Sequence, residues 1–196
     1  VVDSYGAGSA DIQWSNATTQ ETSRVYTNYK DLLREGVSGA MGAIPAVQAA
    51  ASYQSQVSRP STAITSWMVS GLSHFLWLGV SYAGLPERKP GKALYYESGY
   101  FENLIPAGAS TTGFTPGPSN INFPSMNMTR FNKAFTDAGG TAPEGRYWLD
   151  TEVNDGGQAK QVVIDISSSG YRLDFASKQS SAKIRPIIHF KSKWDD

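Results

Sequence analysis

Tyr147-Trp148-Leu149-Asp150-Thr151-Glu152-Val153, Gln161-Val162-Val163-Ile164-Asp165-Ile166, Tyr171-Arg172-Leu173-Asp174-Phe175 and Ile184-Arg185-Pro186-Ile187-Ile188-His189-Phe190 are four short runs at regular spacing. Each is rich in aromatic and β-branched residues, the side chains that fit a pleated, half-buried surface. Val162, Ile164 and Ile166 alternate with Val163 and Asp165, the period of two that sends successive side chains to opposite faces of a sheet. Ser168-Ser169-Gly170 supplies a hairpin turn between the second and third runs. The last quarter of the chain is therefore read as an antiparallel sheet, with its fourth strand over 184–190.

Working outward from that sheet, the pattern changes to a helical one. Met128, Phe131 and Phe135 share one face of a helix that Gly139-Gly140 stops. Before it, from Gly84 to Pro124, prolines at 86, 90, 106, 116, 118 and 124 break any long element, and glycines and serines fill the gaps. Irregular stretches of this length inside compact domains are usually functional or disordered, and the cluster Tyr95, Tyr96, Tyr100 and Phe101 argues against disorder. Further back, Trp67-Met68-Val69 reads as a short strand, with Leu72, Phe75, Leu76 and Gly79 on a helical face behind Ser70. Pro45, tolerated in a first helical turn, opens a second helix that should run to about Gln54. Val25, Tyr26, Tyr29, Leu32 and Leu33 predict another over 22–35 that Gly36 ends. The fold class expected is α+β, one domain over 21–196, with 1–20 as an N-terminal arm or linker.

Composition narrows the functional classes. Seventeen Lys and Arg balance seventeen Asp and Glu among 196 residues, so no overall field draws nucleic acid or an anionic membrane. The absence of cysteine removes disulfides, thiolate metal sites and thiol nucleophiles together. Charged residues supply 17% of the chain, below the roughly 25% usual for soluble domains, a texture closer to secreted proteins than to cytosolic enzymes. No apolar run reaches the roughly 18 residues that span a bilayer, so direct membrane insertion is not expected.

The order of blocks adds a resemblance. Phe131-Asn132-Lys133-Ala134-Phe135, Ala138-Gly139-Gly140-Thr141, Tyr147-Trp148-Leu149-Asp150-Thr151-Glu152, Ala159-Lys160 and Lys183-Ile184-Arg185-Pro186-Ile187 follow one another in the chain. Upstream stands Ser66-Trp67-Met68-Val69-Ser70-Gly71-Leu72-Ser73, with Ser70 where a proline would usually be. Together they resemble the Fibrobacter succinogenes major paralogous domains and the C-terminal domain of the Legionella collagen-like protein, a branch of the C-type-lectin-like fold. That resemblance implies helices flanking small antiparallel sheets, with a long irregular loop region that carries the ligand site. It also implies an extracytoplasmic domain of a Gram-negative bacterium, at the cell surface or secreted, in an adhesive or host-facing protein. The partners implied are glycan, glycosaminoglycan or a host surface protein.

Three sets of residues are weighed for chemistry. Tyr95, Tyr96, Tyr100 and Phe101, with Asn120 and Asn122, form the candidate ligand-binding set, since a partly exposed ring stacks on a sugar face or buries in a protein interface. Asp150, Glu152, Asn154 and Asp155 form the densest oxygen cluster; in a regular strand the first three share one face, and calcium takes six to eight such oxygens. The competing reading, which the residues favour, pairs Glu152 with Arg185 or Arg146 and makes Asn154-Asp155-Gly156-Gly157 a turn. Trp67, Trp77 and Trp148 sit within apolar patterns and are read as core. His74 and His189 have no neighbours at metal-ligand spacing, and neither a His-Glu-x-x-His nor a Gly-x-Ser-x-Gly string occurs.

The expectation is thus a domain that is not an enzyme and needs no cofactor, calcium being the only ion in view. It should bind glycan or a host ligand through the 85–124 stretch. The alternative is a structural subunit or terminal domain of a fimbria-like assembly, with residues 1–16 adding a strand to a neighbour.

Overall fold

The computed structural model describes residues 12–15, 44–53, 61, 67–84, 121–123, 126–155 and 158–188. The expected helix over 22–35 lies outside these residues. In chain order the elements are β1 (Ile12–Gln13), α1 (Pro45–Ser52), α2 (Leu72–Ala83), β2 (Ile121–Asn122), α3 (Met128–Asp137), β3 (Gly145–Asp155), β4 (Gln158–Ser167), β5 (Gly170–Ser177) and β6 (Ser181–Ala182). The architecture is α+β: a four-stranded sheet in the order β2-β5-β4-β3, with every neighbouring pair antiparallel, and a two-stranded antiparallel sheet of β1 and β6.

The alternation in β4 determines where the layers go. Val162, Ile164 and Ile166 join Tyr147, Leu149, Tyr171, Leu173 and Phe175 on one face, and α2 and α3 cover them with Leu72, Phe75, Met128, Phe131 and Phe135. The helical stripe read at Met128, Phe131 and Phe135 is the buried face of α3. On the opposite face Val163 packs with Trp148 and Ala176 against Trp14, Ile44, Ala46, Ala50, Val69, Ala182 and Ile184, a second core beneath α1 and the small sheet. A strand buried on both faces reads as an unbroken apolar run, which is why Val162-Val163-Ile164 carries no polar residue.

Several expected boundaries move, each for a local reason. β3 and β4 pair as far as Asp155 with Gln158, so Asn154 and Asp155, read as part of a turn, belong to the strand, while Gly156-Gly157 lie outside the described residues. Ser167 pairs with Gly170 across the second hairpin, as its Ser-Ser-Gly composition indicated. Of the fourth strand expected over 184–190, residues 184–188 are described and form no continuous strand: the two-residue β6 precedes them, with isolated bridges of Tyr147 with Lys183 and Met68 with Ile187. Pro186 explains this: it has no N–H for a ladder, so pairing cannot run through it. The strand expected at Trp67-Met68-Val69 is likewise reduced to the Met68 bridge.

Ile12–Ser15, inside the stretch read as an N-terminal arm or linker, are part of the fold. β1 pairs with β6, Trp14 is 1% exposed in the second core, and the Trp148 Nε1–H donates to the Ile12 carbonyl at 2.6 Å. An indole ring beside a second indole, centroids 6.1 Å apart and edge to face, is the packing that holds this segment down. An isolated two-residue strand has no periodicity to read, so only the tryptophan could have signalled it.

Candidate functional site

The stretch 85–120 leaves the described fold at the end of α2 and returns at β2, and its two flanks are held together. At the exit, Gly84 caps α2 in the left-handed conformation, φ 72°, with its N–H on the Gly79 carbonyl. A glycine suits this position because a side chain would strain the backbone there. On the return, Ile121 pairs with Leu173 and Asn122 with Arg172, and the Phe123 N–H donates to the Tyr171 carbonyl at 3.1 Å. The flanks then meet directly, since the Asn127 N–H donates to the Ala83 carbonyl at 2.8 Å. Asn127 also caps α3, its Oδ1 accepting from the Arg130 N–H at 2.9 Å.

Beside β2 the outer surface of the sheet carries a charged lattice. Arg146 on β3, Asp165 on β4 and Arg172 on β5 form one cross-strand row, with Asp174 one step along. Arg146 bonds Asp165 at 3.3 Å and Asp174 at 2.8 Å, and Arg172 bonds Asp165 at 2.6 Å. The hydrogen bond to Asp165, with its charge, holds the Arg172 guanidinium above its ordinary pKa. Two cations and two anions in mutual contact neutralise one another, so this row is charge-balanced and not an anion trap.

The sequence candidates are distributed as follows. Tyr95, Tyr96, Tyr100, Phe101 and Asn120 lie outside the described residues. Asn122 is in β2, at the foot of the returning flank, and its side chain is outside those described. Glu152, Asn154 and Asp155 are in the far half of β3, again without described side chains.

Asp150 departs from the expectation. A shift in register between Trp148 and Glu152 interrupts β3 around Asp150. Asp150 is instead 5% exposed, with its N–H on the Ser70 carbonyl at 3.1 Å and its carboxylate packed against Gly71. Among the described residues no group of three or more His, Asp or Glu is arranged to hold a metal ion. Arg146, one partner considered for Glu152, is engaged by Asp165 and Asp174; Arg185 is buried over the Phe135 ring and donates to the Thr141 carbonyl at 3.0 Å.

Trp148 and Trp67 are core, at 0% and 4% exposure. The side chain of Trp77, and all of His189, lie outside the described residues. His74 is half-buried at the start of α2, where its ring meets the backbone of Gly71. The charged lattice went unread in the sequence, although Arg146, Asp165, Arg172 and Asp174 stand at alternating positions of adjacent strands, a signal visible only once the register is known.

No family model, curated protein or solved structure matches this chain. No helix among the described residues is long and apolar enough to cross a membrane.

Proposed function

We propose that this chain is a non-catalytic, C-type-lectin-like binding domain of a bacterial surface or secreted protein, which holds glycan, glycosaminoglycan or a host surface protein through its 85–124 stretch. The observation that carries the reading is the joining of that stretch's two flanks on a packed scaffold, through Asn127 to Ala83 and β2 to β5. Binding residues are commonly borne on loops that a rigid framework positions. Helices over one face of an antiparallel sheet, with a small second sheet, agree with the lectin-like arrangement that the sequence blocks imply. Of the residues 1–16 that the alternative would lend to a neighbour by strand addition, Ile12 and Gln13 are already paired with β6 and the Ile12 carbonyl is held by Trp148, which speaks against their use in it.

The test is a glycan and glycosaminoglycan array probed with the purified protein, in calcium and in chelator. Saturable binding supports the reading, and its loss in chelator would bring a metal at Asp150, Glu152, Asn154 and Asp155 back into view. No binding to any glycan, together with none to host surface proteins, contradicts it.

A further inference from the structure

The N-terminus of α2 is closed by an unusual partner. Gly71 precedes the helix, so the residue at the capping position has no side-chain oxygen to offer the first-turn N–H groups, and the first turn contains no acidic residue. His74, three residues on, reaches back: the Gly71 N–H donates to its Nδ1 at 2.9 Å, while the His74 N–H donates to the Gly71 carbonyl at 3.2 Å. This is the position from which a glutamate or glutamine normally completes a capping box. An imidazole fills that role only while Nδ1 is unprotonated, with the ring proton on Nε2.

The same junction joins helix to sheet. The Asp150 carboxylate oxygens lie 2.9 and 3.0 Å from where a Cβ on Gly71 would stand, and Ser70 accepts from the Asp150 N–H. The Ser70 hydroxyl donates to the Arg185 carbonyl, and Arg185 itself turns towards Thr141 and Phe135. The helix 72–83 carries no Lys, Arg, Asp or Glu. Asp150 is thus the described charge packed against Gly71, while Arg130, Lys133 and Asp137 of α3 are exposed.

We propose that His74 is an acid-sensitive clasp: neutral, it accepts the Gly71 N–H and holds the start of α2 against β3; protonated, it lets go. Protonation places a hydrogen on Nδ1, so the acceptor is lost and the Gly71 N–H is left without it. The new Nδ1–H can then turn to the Gly71 carbonyl, 3.3 Å away. It also sets a positive charge at the positive end of the helix, which opposes protonation. Asp150 works the other way. On this proposal the direct bond to the neutral ring outweighs it, which would set the folded pKa of His74 below the unfolded value of about 6.5. A depressed pKa gives stability that is present above the unfolded value and is lost as pH falls below it.

His74→Gln is the decisive variant, because a glutamine amide oxygen can accept the same N–H and does not titrate. From pH 8 to pH 5 the unfolding midpoint of the native protein should drop by about 2 to 4 °C more than that of H74Q. Over the same range the Gly71 amide resonance of the native protein should shift with the His74 ring. Parallel midpoints for the two proteins would overturn the proposal, as would a gain in the native protein on acidification, which would mean that Asp150 pairing governs the ring. Should H74Q fail to fold, the histidine titration in the native protein decides alone: a pKa at or above the ordinary value overturns the proposal.

Discussion

Gly71 and Asp150 meet so closely that the absence of a side chain at Gly71 is a packing requirement. Its φ of −90° and ψ of 167° suit any residue, so the constraint comes from the carboxylate and not from the backbone. Gly71→Ala should therefore destabilise by about 1 to 3 kcal/mol, the range for overpacking, in chemical denaturation. Tyr171 presents the opposite case, a polar atom where none is needed. Its ring lies among Phe75, Phe123 and Phe131, and its hydroxyl is buried with no hydrogen-bond partner among the described residues. Burial pushes the phenol well above its ordinary pKa, with the Arg185 charge opposing in a lesser degree. A raised pKa gives stability that is intact below the unfolded value near 10 and drains away as pH rises past it. Stability should accordingly fall above about pH 10 in the native protein, more steeply than in Tyr171→Phe. At neutral pH that variant should be unchanged or up to about 1 kcal/mol more stable, since it removes an unsatisfied hydroxyl.

At the scale of elements, three strands of the four-stranded sheet, β3, β4 and β5, were legible from their aromatic and β-branched runs and the Ser-Ser-Gly turn, while the fourth, β2, falls in the stretch read as irregular. The α3 helix was legible because Met128, Phe131 and Phe135 recur at helical spacing over an otherwise polar segment. What sequence could not supply was interruption. The register shift in β3 between Trp148 and Glu152 has no composition of its own, and Asp150, within it, packs its carboxylate against Gly71. The strand expected at 184–190 overlooked the cost of Pro186 to pairing. β1 and β6 are two residues each, too short for a period, and are held by Trp14 and Trp148. Trp148→Ala should remove both that ring contact and the bond to the Ile12 carbonyl, and cost about 3 to 5 kcal/mol. Protease sensitivity near Ile12 should rise in that variant before the main core opens.

For the molecule as a whole, the division is between a scaffold with two cores and a long stretch returned to it at β2. The core over Val162, Ile164 and Ile166 was foreseeable from their alternation, and the bounds of the stretch from its Pro and Gly content; the second core, on the Val163 face, was not read. The ligand residues proposed there, Tyr95, Tyr96, Tyr100, Phe101, Asn120 and Asn122, were read from composition and resemblance alone, because a binding surface leaves no periodic trace. The direct test compares the native protein with one in which residues 95–120 are replaced by a short Gly-Ser linker. Both proteins should show cooperative unfolding, and only the native one should bind on a glycan and glycosaminoglycan array. A folded, shortened protein that still binds would contradict the assignment of the ligand to this stretch.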